Sequence, residues 1–224
     1  MVESKYYVVA TVNSPSDVRC LYWYISCIFC WVGSGCLRAV EDQGPCCACW
    51  AFVGAEAITA LYYIRLGKVK PLSKQQEGIY SDTAYPYVAK KENCHNLSKE
   101  EKTKIKKFLT VKELGLDKKA IENLIRNQPI SGSVKYVDSF QLHTGEDTYM
   151  GPTEEEIHYE DLLKSRNEPS VGRHAVLIVG FGVDEKGIDY YLIKNSWGVK
   201  WGYWGYARVE RSIVMGLSFP VLQK

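Results

Sequence analysis

The stretch that decides the fold runs from Gln43 to Phe52 and has the sequence QGPCCACWAF. Apolar residues recur behind it at helical spacing, which predicts a helix from about Cys49 to Leu66 that ends at Gly67. Cys49 then lies in the first turn, where the positive end of the helix dipole favours a thiolate. Most free cysteines are buried and inert, however, so this position alone does not establish a nucleophile.

The remaining elements are predicted from periodicity and from turn residues. A second helix is expected at Lys118–Asn127 behind an Asp117 N-cap, and an inserted helix at residues 153–164, where Thr153 and Glu156 have the spacing of a capping box. Runs rich in Val, Ile and Tyr predict strands at residues 134–137, 174–181, 190–194 and 203–209. The chain is therefore expected to have a helical first part and a β-rich second part.

Charge and hydropathy exclude two classes of partner. The chain has 28 basic and 26 acidic residues and a net charge of +2, which gives no reason to expect binding to nucleic acid or to an anionic membrane. No segment reaches the roughly 20 apolar residues that cross a bilayer. The nearest, residues 21–35, has three open interpretations: a buried strand-like segment, the core of a signal peptide, or poorly determined sequence.

Two later motifs follow the cysteine in chain order. Residues 172–176 have the sequence GRHAV, and residues 194–198 have the sequence KNSWG. Together with residues 43–52, they resemble the cysteine, histidine and asparagine motifs of the papain-like cysteine proteases. The resemblance extends over about residues 37–224.

This resemblance implies an α+β, papain-like two-lobed fold. A helical lobe would occupy about residues 37–107, and an antiparallel, β-barrel-like lobe about residues 108–224. Residues 1–36 have no assignment and lack the usual start of the mature enzymes. The resemblance also implies hydrolysis of peptide bonds without a metal or an organic cofactor. Protein or peptide substrates and cystatin-like inhibitors would be the partners of a monomer located in the lysosome or vacuole, or outside the cell.

Catalytic roles follow from the resemblance, residue by residue. Cys49 would be the nucleophile, and His174 the base that later protonates the leaving amine. Asn195 would hold the imidazole ring, and Trp197 would shield their hydrogen bond from water. The side-chain amide of Gln43 would stabilise the oxyanion together with the backbone N–H of Cys49.

Substrate-binding residues are predicted less directly. Ser133, Arg173, Ala175 and Trp197 are the candidates that remain for the substrate pocket. Arg173 replaces an acidic or neutral residue of the family. Its charge is expected to lower the pKa of His174 and to favour an acidic substrate side chain.

The sequence also departs from the family pattern. Roughly two dozen residues are missing after Glu77, more than loop trimming explains, and with them go glycines that pair with the substrate and one wall of its pocket. Cys46 and Cys94 match family half-cystines whose partners lie in the missing stretch, so we hypothesise that they bond to each other. Cys47 replaces a glycine beside the nucleophile.

Three other interpretations stay open at this point. The chain could be a catalytically inactive protease-like protein or an incomplete gene product. The pairs Cys27/Cys30 and Cys46/Cys49 have the spacing of a four-cysteine zinc site. Cys46 and Cys49 alone could form a redox pair at a helix start, although no βαβ pattern surrounds them.

Overall fold

The computed structural model describes residues 27–74, 80–84, 86–90, 103, 105–145 and 147–223. The strands are β1 Cys27–Cys30, β2 Ile105–Thr110, β3 Ile130–Lys135, β4 Arg173–Val183, β5 Asp189–Lys194, β6 Tyr206–Glu210 and β7 Met215–Leu222. The helices are α1 Cys49–Leu66, α2 Lys118–Asn127, α3 Asp138–Gln141 and α4 Glu154–Ser165, with a 3₁₀ turn at Arg211–Ile213.

The strands form one antiparallel sheet in the order β2-β7-β3-β4-β5-β6, and β1 pairs separately with β4. In the β3–β4 register, His174 lies opposite Val134 and Ala175 opposite Ser133. The predicted strands at 174–181 and 190–194 lie within β4 and β5, so those predictions are confirmed. The strand predicted at 134–137 in fact runs from Ile130 to Lys135. Tyr136 and Val137 lie outside it because they lead into α3.

The main core lies between this sheet, α2 and α3. Its buried side chains include Ile125, Ile130, Phe140, Val176, Ile178, Ile193 and Val209. Burial alternates along β3, as expected for a strand with one face on the core. Helix α2 is confirmed at its predicted bounds, and the Asp117 carboxylate accepts a hydrogen bond from the backbone N–H of Ala120 at 2.7 Å.

Helix α1 also has its predicted bounds, and Gly67 ends it. Gly67 takes a φ of 64°, and its N–H donates to the Tyr63 carbonyl at 2.8 Å. Val53 and Ala57 pack on β4 and β5, whereas Ile58 packs against Leu72 on another side. The helix is therefore buried between two apolar clusters, and Cys49 lies at its half-buried start.

The inserted helix α4 begins with the predicted capping box, formed by Thr153 and Glu156. Its burial is reversed, however: Ile157 and Tyr159 are exposed, whereas Glu160 is buried and forms an ion pair with Lys135 of β3. Polar contacts rather than apolar packing attach this helix to the sheet.

The first described residues pack on the sheet. Strand β1 lies inside the stretch for which a strand-like segment was one interpretation. Gly180 allows its close approach, because an added Cβ there would lie 2.5 Å from the Phe29 carbonyl oxygen. The Trp31 indole N–H donates to the Ile125 carbonyl at 2.7 Å. The domain boundaries near residues 36 and 107 remain predictions, although β1 precedes the first and β2 crosses the second.

None of the helices in the described part of the chain combines the length and the apolar character that a bilayer crossing requires.

Candidate active site

His174 and Asn195 are in direct contact. His174 is the second residue of β4, and Asn195 directly follows the last residue of β5. The His174 ring Nε2 and Asn195 Oδ1 are 2.6 Å apart. An amide oxygen only accepts, so Nε2 carries the proton and donates. The other ring nitrogen, Nδ1, is then the basic one and is available to take a proton from a nucleophile.

Aromatic rings enclose the imidazole. The Trp197 and His174 ring centroids are 4.1 Å apart, and those of Phe140 and Tyr136 lie 6.2 and 6.4 Å from His174. His174 is 3% exposed. This burial lowers the pKa of His174 to about 4, which the hydrogen bond to Asn195 opposes more weakly.

The predicted cause of that shift was wrong. The pKa of His174 is lowered, as expected, but by burial and not by the charge of Arg173. Arg173 is exposed, and its Nη2 lies 2.7 Å from the Met215 sulfur. An exposed guanidinium is screened by water, so its effect on a buried ring is small.

Gln43 is fastened to the loop that carries Asn195. Its backbone N–H donates to the Ser196 carbonyl at 2.8 Å, and its side-chain oxygen accepts from the Ser196 hydroxyl at 2.6 Å. The Ser196 N–H in turn donates to Asn195 Oδ1 at 2.8 Å. The side-chain N–H₂ of Gln43 donates to the Cys46 carbonyl at 2.8 Å, which leaves one amide hydrogen for a ligand.

Cys49 is the first residue of α1. The N-cap, Ala48, makes no side-chain hydrogen bond to the helix, and the first turn contains no acidic residue. The N–H groups and the dipole of this helix end are thus not neutralised by a cap. The Cys49 thiol is half-buried, whereas Cys47 is exposed and Trp50 is 65% exposed.

One cavity is lined by sequence neighbours of both the cysteine and the histidine, although neither Cys49 nor His174 is itself among its lining residues. It has a volume of about 460 Å³, and its lining includes Trp50 and Ala51, which follow Cys49, and Ala175, which follows His174. Among the described residues, no hydrogen bond joins the Cys49 thiol to the His174 ring. Catalytic hydrogen bonds are often long in uncomplexed proteins and tighten when substrate binds.

Only two of the four predicted substrate-binding residues line this cavity. Ser133 and Ala175 line it, while Arg173 and Trp197 do not. The other lining residues come mainly from α1, β2, β3 and β7, and they are apolar or small: Val53, Gly54, Ala55, Ile58, Ser73, Phe108, Ser131, Gly132, Gly216 and Ser218. Among the residues that the structure describes, no charged side chain lines the cavity.

A buried ion pair ties α1 to the strand that precedes Asn195. Lys194 pairs with Glu56, and its ammonium also donates to the carbonyls of Arg38 at 2.8 Å and Ala39 at 3.2 Å. Burial lowers the pKa of Lys194 and raises that of Glu56, and their mutual attraction opposes both shifts. Ser196, Phe140 and this pair had no predicted role in the site, although the KNSWG motif contains Lys194 and Ser196.

The cysteine alternatives have different outcomes. Within the described ranges, no group of three or more His, Cys, Asp or Glu side chains is arranged to hold a metal ion. The four cysteines of the zinc alternative are therefore not assembled into one site. Cys94, the hypothesised partner of Cys46, lies outside the described residues, so that disulfide stays a prediction.

Comparison with known proteins places this site in a family. The sequence model of the papain family cysteine proteases matches residues 29–77 and 73–218, most of the chain. The chain belongs to the papain family. The match begins inside the segment 1–36 that had no assignment. It divides at residues 73–77, next to the point after Glu77 where family residues are predicted to be missing.

Known members of the papain family resemble most of this chain. The cysteine protease Amb a 11.0101 of Ambrosia artemisiifolia is 29% identical over 86% of the chain and 54% of its own length. Cathepsin L1 of Drosophila melanogaster is 28% identical over 86% of the chain and 57% of its own length. The chain thus spans little more than half the length of these two curated relatives.

A solved structure shows the fold. Bromelain from Ananas comosus, in complex with the E64 inhibitor, superposes with a TM-score of 0.68 at 26% identity, over 87% of this chain and 98% of that one. The papain-family member described here therefore has the expected α+β two-lobed fold.

Proposed function

We propose that this chain is a thiol endopeptidase that hydrolyses peptide bonds through an acyl-enzyme. The observation that carries the proposal is the shared cavity: its walls include the residues that follow Cys49 and the residue that follows His174. The hydrogen bond between His174 and Asn195 fixes the orientation of the imidazole ring next to Ala175, which lines this cavity. Membership of the papain family makes this chemistry the first expectation.

The geometry supports a sequence of proton transfers. His174 Nδ1 would take the proton of Cys49, and the thiolate would attack the scissile carbonyl carbon. The backbone N–H of Cys49 and the remaining amide hydrogen of Gln43 would stabilise the oxyanion. The imidazolium would then protonate the leaving amine, and water would hydrolyse the thioester with His174 again as the base. These steps use only side chains, backbone and water.

The burial of His174 is consistent with catalysis in an acidic compartment. A pKa of about 4 keeps the imidazole neutral, and therefore able to accept a proton, under mildly acidic conditions in which an ordinary histidine would be protonated. This supports the proposal of a lysosomal or vacuolar location, or of secretion. The same family resemblance leads us to propose protein or peptide substrates, cystatin-like inhibitors and a monomeric state.

The cavity supports a preference for an apolar substrate side chain. Its described lining holds Phe108, Ile58 and one face of α1. None of these described lining residues is charged, so an acidic side chain there would be desolvated without a partner from them. Arg173 lies outside the lining and does not favour an acidic side chain in this pocket.

A panel of fluorogenic peptides tests the activity and the preference together. We expect cleavage of peptides that have Leu or Phe as the second residue before the scissile bond, and little cleavage of the matched peptide with Glu at that position. The Cys49→Ala variant should have no activity. The Arg173→Ala variant should have the same preference as the parent. A parent protein that prefers Glu, with the preference lost in Arg173→Ala, would contradict the pocket assignment.

The inactive protease-like protein is the second candidate, and two observations favour it. The amide of Gln43 is partly engaged by the Cys46 carbonyl, and no hydrogen bond joins Cys49 to His174 in the described residues. Folded protein that cleaves no peptide of the panel over a wide pH range would establish this alternative.

A further inference from the structure

Strand β1 contains two cysteines, Cys27 and Cys30, which the peptidase chemistry does not use. In a regular strand, residues three positions apart face opposite sides of the sheet. Here Cys27 lies opposite Gly182 and Cys30 opposite Gly180, with a shift of register between Cys27 and Phe29. Three residue steps on β1 therefore match two steps on β4, which is the arrangement of a β-bulge.

The bulge turns both thiols to the same side. Cys27 and Cys30 both pack against the apolar cluster that contains Val53 and Leu192, while the intervening Ile28 is 55% exposed. Two strand steps of about 3.4 Å separate their backbones by about 6.8 Å. That separation is at the upper end of the range over which a disulfide joins two Cα atoms, about 4.4–6.8 Å.

The two thiols differ in acidity. The interaction between the two neighbouring thiols raises the pKa of Cys27 and lowers that of Cys30. The Cys27 thiol also donates to the Phe29 carbonyl at 3.1 Å. Cys30 is thus the more acidic of the two thiols. Once Cys30 is consumed, the main cause of the raised pKa of Cys27 is removed.

We propose that Cys27 and Cys30 form a redox-active dithiol that closes to a disulfide within β1 by exchange with a small-molecule disulfide of the glutathione type. The Cys30 thiolate attacks one sulfur of the small disulfide, whose S–S bond breaks and releases one thiol. Cys27 then loses its proton and attacks the Cys30 sulfur, which releases the second thiol. Two protein thiols are oxidised, and one small disulfide is reduced to two thiols.

This proposal is independent of the peptidase function. It also accounts for the Cys27-x2-Cys30 spacing that suggested zinc. With no further metal-ligating group at hand among the described residues, the pair is suited to thiol exchange rather than to a closed four-ligand site.

Mapping of the oxidised full chain tests the proposal. Cys49→Ala protein, which cannot digest itself, is equilibrated with glutathione and glutathione disulfide, alkylated and denatured without reductant. Chymotrypsin then cleaves after Phe29, between the two cysteines, so that only a disulfide holds the two products together. We expect the linked pair of peptides in this protein and in the Cys36→Ser control, and its loss in Cys30→Ser.

The result that would overturn the proposal is equally direct. If Cys27 and Cys30 are both alkylated under conditions that modify the exposed Cys47 with glutathione, the dithiol does not close. Linkage of either cysteine to a different cysteine would also overturn it. The decisive mapping is made with β1 unaltered, so misfolding of a β1 variant does not affect it. A melting temperature a few degrees higher after oxidation, absent in Cys27→Ser, is the expected second readout.

Discussion

The two halves of the site are held by different physical means. In the imidazole half, His174 is 3% exposed, bonded to Asn195 and enclosed by aromatic rings. In the thiol half, Cys49 is half-buried at an uncapped helix start beside an exposed Cys47. Packed rings thus surround the imidazole, whereas the thiol lies at the partly exposed end of a packed helix.

This difference has a consequence for how much change each half tolerates. The family match divides at residues 73–77, where the sequence predicts that family residues are missing, and the core around His174 is built from other segments. Substitutions in the imidazole half should therefore disturb stability and chemistry together. Substitutions at the half-exposed start of α1 should disturb chemistry more than stability.

The largest effect on stability is expected at the ion pair that joins the two halves. Lys194→Met leaves Glu56 buried without its partner and should lower the free energy of unfolding by about 3–5 kcal/mol. Urea denaturation measures this change. The exposed pair of Lys118 and Asp189 provides the control, and Lys118→Met should cost no more than about 1 kcal/mol.

A second variant keeps this prediction sharp. Replacing both members, Lys194→Met with Glu56→Leu, removes the buried charge as well as its partner and should recover most of the loss. If the double variant is as unstable as Lys194→Met alone, the unpaired Glu56 carboxylate is not the cause of the instability. The cause is then the loss of the packing and carbonyl contacts of Lys194.

The next effect is an acid-dependent loss of stability from His174. Its pKa is about 4 in the folded chain and 6.5 ordinarily, so above pH 6.5 neither state binds the proton. Between pH 6.5 and about 4 the unfolded chain binds a proton that the folded chain does not, so stability falls as the pH falls. The loss should approach about 3 kcal/mol and then level off.

Comparison with His174→Gln isolates this contribution. The variant lacks the titrating ring, so its free energy of unfolding should decline less than that of the parent across the same window. Denaturation at a series of pH values measures both proteins. Parallel curves for the two would contradict the assigned shift.

The third prediction concerns the orientation of the imidazole. Asn195→Ala removes the hydrogen bond to the ring and should lower kcat by about 10²-fold, with little change in KM, because Asn195 positions the base rather than the substrate. Steady-state kinetics on the preferred peptide measure both constants. Asn123→Ala, on the exposed face of α2, is the control and should leave them unchanged. A rise in KM alone would assign Asn195 to substrate binding instead.

The smallest effect is expected at Cys47, in the thiol half. Cys47→Gly restores the family residue, but the side chain is exposed, so kcat/KM should change by no more than about threefold. A much larger gain in activity would show that the Cys47 side chain obstructs the oxyanion site.

Local patterns predicted the parts of the fold that depend on local chemistry. The bounds of α1 and α2, the Gly67 stop and the capping box of α4 all follow from caps and helical spacing, and all are confirmed. Strands β2 and β7 were not predicted, because their pairing joins residues more than a hundred positions apart and leaves only a weak local pattern.

The site divides in the same way. Motif order was enough to propose Cys49, His174, Asn195 and Gln43. The bridge through Ser196 and the aromatic enclosure of His174 depend on tertiary packing, which spacing in the sequence does not encode. Arg173 shows where proximity in sequence misleads. Arg173 and His174 are adjacent along β4, but their side chains face opposite ways, so Arg173 is exposed and His174 is buried.

The most direct test of the account is the modification of Cys49 by an E64-type epoxide, followed by mass spectrometry across pH. We expect one label per chain, at Cys49, and a rate at least about 10²-fold lower in His174→Ala. Folded protein that takes no label, or that is labelled at Cys49 equally fast with and without the imidazole, would show that these two side chains do not act together.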